Sequence, residues 1–212
     1  MGGLSPPSWH PEGDGLSAAG CFVVSPRGRS GPGTDGDPAT AAAVIIRDGR
    51  ATATRIVHGR AGAPYAPGLL YLREGQVLEE VVRQLPDRPD VLVVNGTGLD
   101  HPRYAGMALH LGYLLDLPTV GVTHRPLCAE GSWPDDERGR ISPLTHGEQL
   151  VGYWVRTRDG ARPLVAHAGW KTSPETAAKV VLSTTTRFRT PEPLRVARQV
   201  ARTTRAGVDQ VV

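Results

Sequence analysis

Two short, largely apolar runs, DVLVV at 90–94 and PTVGVTH at 118–124, constrain the fold of this chain more than any other feature. A run with apolar side chains on both of its faces leaves no polar face for water, so each reads as a strand covered on both sides, as parallel strands are. The first leads into a glycine-rich segment, NGTG. Between the runs, Tyr104 to Asp116 is a strongly apolar helical stretch. Ahead of them, EGQVLEEVVRQL (74–85) sets Val77, Leu78, Val81, Val82 and Leu85 at helical spacing.

The front of the chain has a different rhythm. CFVVS (21–25) and AAAVIIRDG (41–49) read as strands, with a long turn over 27–38 between them, and ATATRIVHGR (51–60) alternates as a third strand should. Toward the end, 148–157 and 162–169 form a hairpin pattern, followed by helices over 173–187 and 193–206. Three antiparallel strands, then helix, strand, helix, strand, is the element order of an α/β, ribonuclease H-like mixed sheet flanked by helices. In such a sheet catalytic groups gather at strand ends. The expected organisation is a Gly/Pro/Ser-rich arm over 1–17, one domain over 18–206 and a short tail over 207–212.

Charge and composition exclude little beyond a membrane span, for which no apolar run is long enough. The N-terminus has neither the basic start nor the apolar stretch of a secretory signal, so a cytoplasmic location is expected. Cys21 and Cys128 show no metal-binding spacing and read as small buried thiols. A net charge of +3 is mild, but Arg187, Arg189, Arg195, Arg198, Arg202 and Arg205 crowd the C-terminal stretch against a lone Glu192. Two readings stay open for them: a phosphate-facing edge, or a solvated helix face.

Five separated segments, PYAPGLLYLRE (64–74), VVNGTGLDHPRYAG (93–106), PTVGVTHRPLC (118–128), HGEQL (146–150) and PEP (191–193), resemble the endonuclease V family in order and spacing. The resemblance implies that the turn of Pro64, Tyr65, Pro67 and Gly68 carries an aromatic wedge that helps expel a deaminated base from the stack. Proline on either side fixes the backbone and holds the ring out at little entropic cost. It also implies a base pocket built from backbone around Gly96 and Gly98, followed by the turn of His101, Pro102, Arg103 and Gly106.

The same resemblance implies a magnesium site of carboxylates, and here the chain departs from it. The aspartate of the family's first strand, in a Gly-x-Asp-Val pattern, is replaced by Phe22, and the aspartate that opens the family's glycine segment is replaced by Asn95. Glu74 is kept. The family's histidine near the last helices reads Trp170, its phosphate-contacting lysine reads His124, and its next acidic position holds Glu175. Hard cations need charged oxygen ligands, so retention of the metal centre is not expected and no cofactor is implied.

Phe22 and Trp170 are expected to turn the former metal cleft into an aromatic one, in which desolvation would raise the Glu74 pKa and suit it to general acid or base work. The favoured reading is a repurposed, metal-independent biosynthetic enzyme acting on a small organic substrate. Its candidate catalytic residues are Glu74, His101, His124 and Asn95. Its candidate substrate contacts are Phe22, Tyr65, Gly96, Gly98, Asp100, Arg103 and Trp170. The first alternative is a pseudo-nuclease that binds deaminated or unstacked bases in nucleic acid through Tyr65 and the C-terminal arginines. The second is a residual deoxyinosine or inosine endonuclease.

Overall fold

A computed structural model of the chain describes residues 7–11, 15–25 and 31–208. Its elements are β1 (Ala18–Val24), β2 (Pro38–Arg47), β3 (Arg50–Arg60), α1 (Leu70–Arg83), β4 (Val91–Asn95), α2 (Met107–Leu115), β5 (Thr119–Thr123), β6 (Ile141–His146), β7 (Gln149–Val155), β8 (Leu164–Ala168), α3 (Pro174–Ser183) and α4 (Glu192–Val208). The strands form one eight-stranded sheet in the order β3-β2-β1-β4-β5-β8-β7-β6. Only β1 with β4, and β4 with β5, pair parallel; the remaining neighbours are antiparallel. This is the expected mixed sheet of ribonuclease H type.

Helices cover both faces. β2 is buried at eight successive positions, Ala39 to Ile46, because α1 packs on one side of it and α4 on the other. Side chains alternate between the two faces along a strand. Cys21 therefore joins the cluster under α1 and α2, while its neighbour Phe22 packs toward Val196 and Val200 of α4. α4 lies so close to β1 that a Cβ on Gly20 would overlap the main chain of Pro193. α3 starts on a proper cap: Ser173 accepts from the Thr176 amide, with Pro174 and Glu175 in the first turn.

Three local expectations change. α2 begins at Met107, because Tyr104 is left-handed at φ 48° and cannot sit inside a helix. β6 was not expected at all: it is an outer strand, its burial pattern is mostly exposed, and it contains Pro143, which only an outer strand tolerates. Part of the expected arm is docked, with the Trp9 amide donating to the Lys171 carbonyl at 2.7 Å and the His10 ring 3.1 Å from the Thr176 hydroxyl. Residues 1–6 and 12–14 of that arm, residue 26 with 27–30 of the expected long turn, and 209–212 of the tail lie outside the described residues. Among the described residues no helix is long and apolar enough to cross a membrane.

Candidate functional site

β1, β4 and β5 run in one direction, so their C-terminal ends meet: Cys21 pairs with Val94, and Asn95 with Val122. Two concavities open there. The larger, about 730 Å³, lies between α1, α2 and the segments that follow β4 and β5, and is lined among others by Tyr65, Tyr71, Asn95, Gly96, His110 and Arg125. That volume suits a heterocycle of ligand size. Tyr65 stands at its rim, 51% exposed, on a turn whose amide donates to the Pro32 carbonyl. Tyr71 and His110 stack at 4.6 Å with 17° between their planes, giving the cavity a flat aromatic wall. Arg103 and Arg125 add positive charge, and among the described residues no carboxylate lines the cavity.

His101 lines the cavity and braces its rim. Its Nδ1 accepts from the Arg103 amide at 3.2 Å, which leaves the proton on Nε2 to donate to the Gly68 carbonyl at 2.8 Å. Both nitrogens are thus engaged, and the ring pins the turn that presents Tyr65. Gly68 is left-handed at φ 73°, a conformation that favours glycine.

The smaller concavity, about 30 Å³, is lined by Phe22, Asn95, Val122, Thr123, His124, Thr190 and Arg198, with Leu164 and Leu194 behind. It has room for a group of the size of one oxygen, not for a base. The Arg198 guanidinium lies over the Phe22 ring, 5.8 Å from its centroid. Burial lowers the His124 pKa, and the positive charges of Arg189 and Arg198 lower it further. Of the other C-terminal arginines, Arg195 is held by Glu192, and Arg205 donates to the Ser25 carbonyl.

A carboxylate metal centre does not fit these residues. Phe22 presents a ring toward α4, whereas Glu74 approaches β1 from the α1 side, where it acts on the Cys21 thiol. Glu74 lines neither concavity. Burial pushes its pKa up to about 7, opposed by the charge of Arg73. Arg73 itself is turned away, bonded to Asp37 at 3.3 Å and to the Ala63 carbonyl at 2.7 Å. Among the described residues no three His, Cys, Asp or Glu side chains are grouped to hold a metal ion.

Three further candidates sit apart from both concavities. The Trp170 amide donates to the hydroxyl of Thr119, which opens β5, its carbonyl accepts from the Thr119 amide, and its ring meets Tyr113 edge-on at 5.3 Å. Thr119 is four residues of strand from Thr123, about 13 Å away, so Phe22 and Trp170 do not wall a common cleft. Asp100 is fully buried and accepts from the amides of Leu127, Cys128 and Ala129 at 2.7–2.8 Å. Gly98 is absent from the cavity wall: a Cβ there would overlap the Ala168 carbonyl, so it serves close packing.

Sequence reasoning missed Tyr71, His110 and Thr123. Thr123 lines both concavities, and its hydroxyl lies 2.8 Å from Nε2 of the buried His167, whose Nδ1 is 3.5 Å from Asp100. Burial holds His167 well below the ordinary histidine range despite that carboxylate. The available signal was position: Thr123 ends its apolar run next to the strand that Asn95 ends.

Residues 31–199 match the sequence profile of the Endonuclease V family. The chain belongs to that family. Endonuclease V of Dictyoglomus turgidum is 39% identical over 134 residues, covering 63% of this chain and 59% of that protein. The crystal structure of endonuclease V from Streptomyces avermitilis aligns with a TM-score of 0.84 at 31% identity, covering 97% of this chain and 87% of that one. Endonuclease V of Ciona intestinalis, solved in complex with a 23mer DNA containing an inosine followed by a ribo-adenosine, shares the fold, with a TM-score of 0.75 at 23% identity over 92% of this chain and 87% of that one.

These findings correct the favoured reading. A repurposed, metal-independent biosynthetic enzyme with a small-molecule partner conflicts with membership of a nuclease family that includes a relative solved on inosine-containing DNA. The geometry gives the physical reason. The aromatic cleft that motivated that reading is not assembled, since Trp170 lies at the far end of β5 and Glu74 lines neither concavity.

Proposed function

We propose that this endonuclease V family member recognises a deaminated base, inosine, in a nucleic-acid strand by taking it out of the stack into the cavity beneath Tyr65. The observation that carries the reading is that cavity: an exposed ring on a braced turn above a flat-walled space of about 730 Å³ with no carboxylate in its lining. Extrusion costs a few kcal/mol of stacking, which an inserted aromatic ring offsets and a weakly paired base reduces. An acid-free lining suits a strand of phosphates. The chain spans 59% of the length of the Dictyoglomus relative it matches, so activity and partner are both proposed here.

Family membership puts strand nicking beside the base first as the activity. A second reading, binding without cutting, is favoured by Phe22 and Asn95 standing where the resemblance implies ligand carboxylates. The test compares duplexes with and without one inosine, by fluorescence anisotropy and by denaturing gels with magnesium. The expected result is tighter binding of the inosine strand, lost in Tyr65→Ala. Equal affinity for both duplexes would overturn the proposal. Inosine-dependent nicking supports the first reading, and inosine-dependent binding with an intact strand supports the second.

A further inference from the structure

The smaller concavity carries an inversion of charge. Where the resemblance implies acidic groups around a cation, the described residues supply Arg198 over Phe22, the Arg189 side chain close enough to act on His124, and no carboxylate in the lining. The Arg198 Nε is buried without a hydrogen-bond partner. A guanidinium nitrogen cut off from water and unmatched costs free energy that an incoming acceptor recovers. Arg189 is fixed by donating to the carbonyls of Arg162 and Pro163, so its charge is already in position before any ligand arrives.

We propose that Arg198, backed by Arg189 and placed by the Phe22 ring, is a built-in cation that receives one phosphate of the bound strand. The aromatic ring is then a platform: it holds the planar guanidinium from below and leaves its edge for the ligand. A concavity of about 30 Å³ accepts a phosphate oxygen while the strand runs across its mouth. Asn95 and Thr123 line both concavities, so the phosphate and the extruded base occupy adjoining places. The identity of the phosphate as part of a strand rests on the proposed function; the anion site itself does not.

The experiment measures the salt dependence of binding to inosine-containing and unmodified duplexes for the full chain and for Arg198→Gln, Arg198→Lys and Arg50→Gln. Each phosphate neutralised adds about 0.9 to the slope of log affinity against log salt. Arg198→Gln is expected to lower the slope by about one unit on both duplexes. Arg198→Lys, which keeps the charge, and Arg50→Gln, in the exposed turn at the opposite end of β2 and β3, are expected to leave it unchanged. Circular dichroism establishes that each variant is folded. An unchanged slope in folded Arg198→Gln overturns the inference, as does an equal fall in Arg50→Gln. Competition by inorganic phosphate at matched ionic strength, weakened in Arg198→Gln, shows an anion site independent of the strand. A slope change without inosine preference sinks the proposed function and leaves this site standing, whereas inosine preference without a slope change does the reverse.

Discussion

Replacing Glu74 by glutamine should stabilise the protein, by an amount that grows from about pH 4.5 and is complete above about pH 7. Burial raises this carboxyl from its ordinary 4.5 to about 7, with Arg73 opposing the shift. Below pH 4.5 the group is protonated in folded and unfolded chains alike, and costs nothing. Between the two values the unfolded chain ionises first, so folded stability falls with rising pH, and the full penalty is reached above about pH 7. A rise of that size corresponds to about 3 kcal/mol, an upper figure because Glu74 keeps some exposure. Glutamine resembles the protonated acid in shape and never ionises, so it escapes the penalty. Thermal melts of parent and Glu74→Gln should converge near pH 4 and separate by up to roughly 5–10 °C at about pH 8, the variant being the more stable. A gap that stays constant with pH would refute the reasoning. So would a parent that is stabilised by magnesium at pH 8 in a Glu74-dependent way, because that carboxylate would then be holding a cation.

Asp100→Ala strands three amides that now donate to one buried carboxylate, and should cost at least about 3 kcal/mol in urea denaturation; a loss under about 1 kcal/mol would contradict the clamp. His101→Gln removes the ring that joins the Arg103 amide to the Gly68 carbonyl, and should weaken inosine-strand binding roughly threefold to tenfold while costing only about 1 kcal/mol of stability. Anisotropy and melting together separate that outcome from simple unfolding. Phe22→Asp places a carboxylate under Arg198 and should neutralise it, weakening DNA binding without creating a magnesium site. Calorimetric magnesium binding tighter than about millimolar in that variant would show that a cation displaces the ion pair.

The fold was legible because its cues are local and repeated. The largely apolar runs at 90–94 and 118–124 read as covered strands and the alternation of 51–60 as a half-exposed one, and β4, β5 and β3 form there. β6 escaped because an outer strand with Pro143 has neither cue. The site was less legible, and unevenly so. Tyr65, Gly96 and Arg103 line the cavity as their motifs implied, since a turn between prolines and a glycine beside a strand end act through backbone, which sequence spacing fixes. The side-chain contacts of His101, Asp100 and Trp170 were not legible because a motif gives a residue's place along the chain but not the direction of its side chain. His101 turns back on Gly68, Asp100 turns in on 127–129, and Trp170 leaves β8 at the end remote from Asn95.

The two faces of β1 explain how one half of the site can keep the family's form while the other changes. The base cavity is built on the α1 and α2 side, and its shape depends on the Tyr65 turn, on Gly96 and on the brace of His101. Position 22 faces α4, so exchanging a carboxylate for a ring there alters packing against Val196 and Val200 without touching that cavity. Glu74, stripped of a charged partner on the opposite face, is left with Cys21 for company, and burial rather than a cation sets its protonation. On the proposed reading, recognition of a base and retention of a phosphate are separable, since among the described residues the two concavities share Asn95 and Thr123 where the strand ends meet. A substitution at Arg198 should change affinity for every sequence equally, and one at Tyr65 should change the preference between bases. Both variants altering base preference alone would mean that the two concavities act as one site.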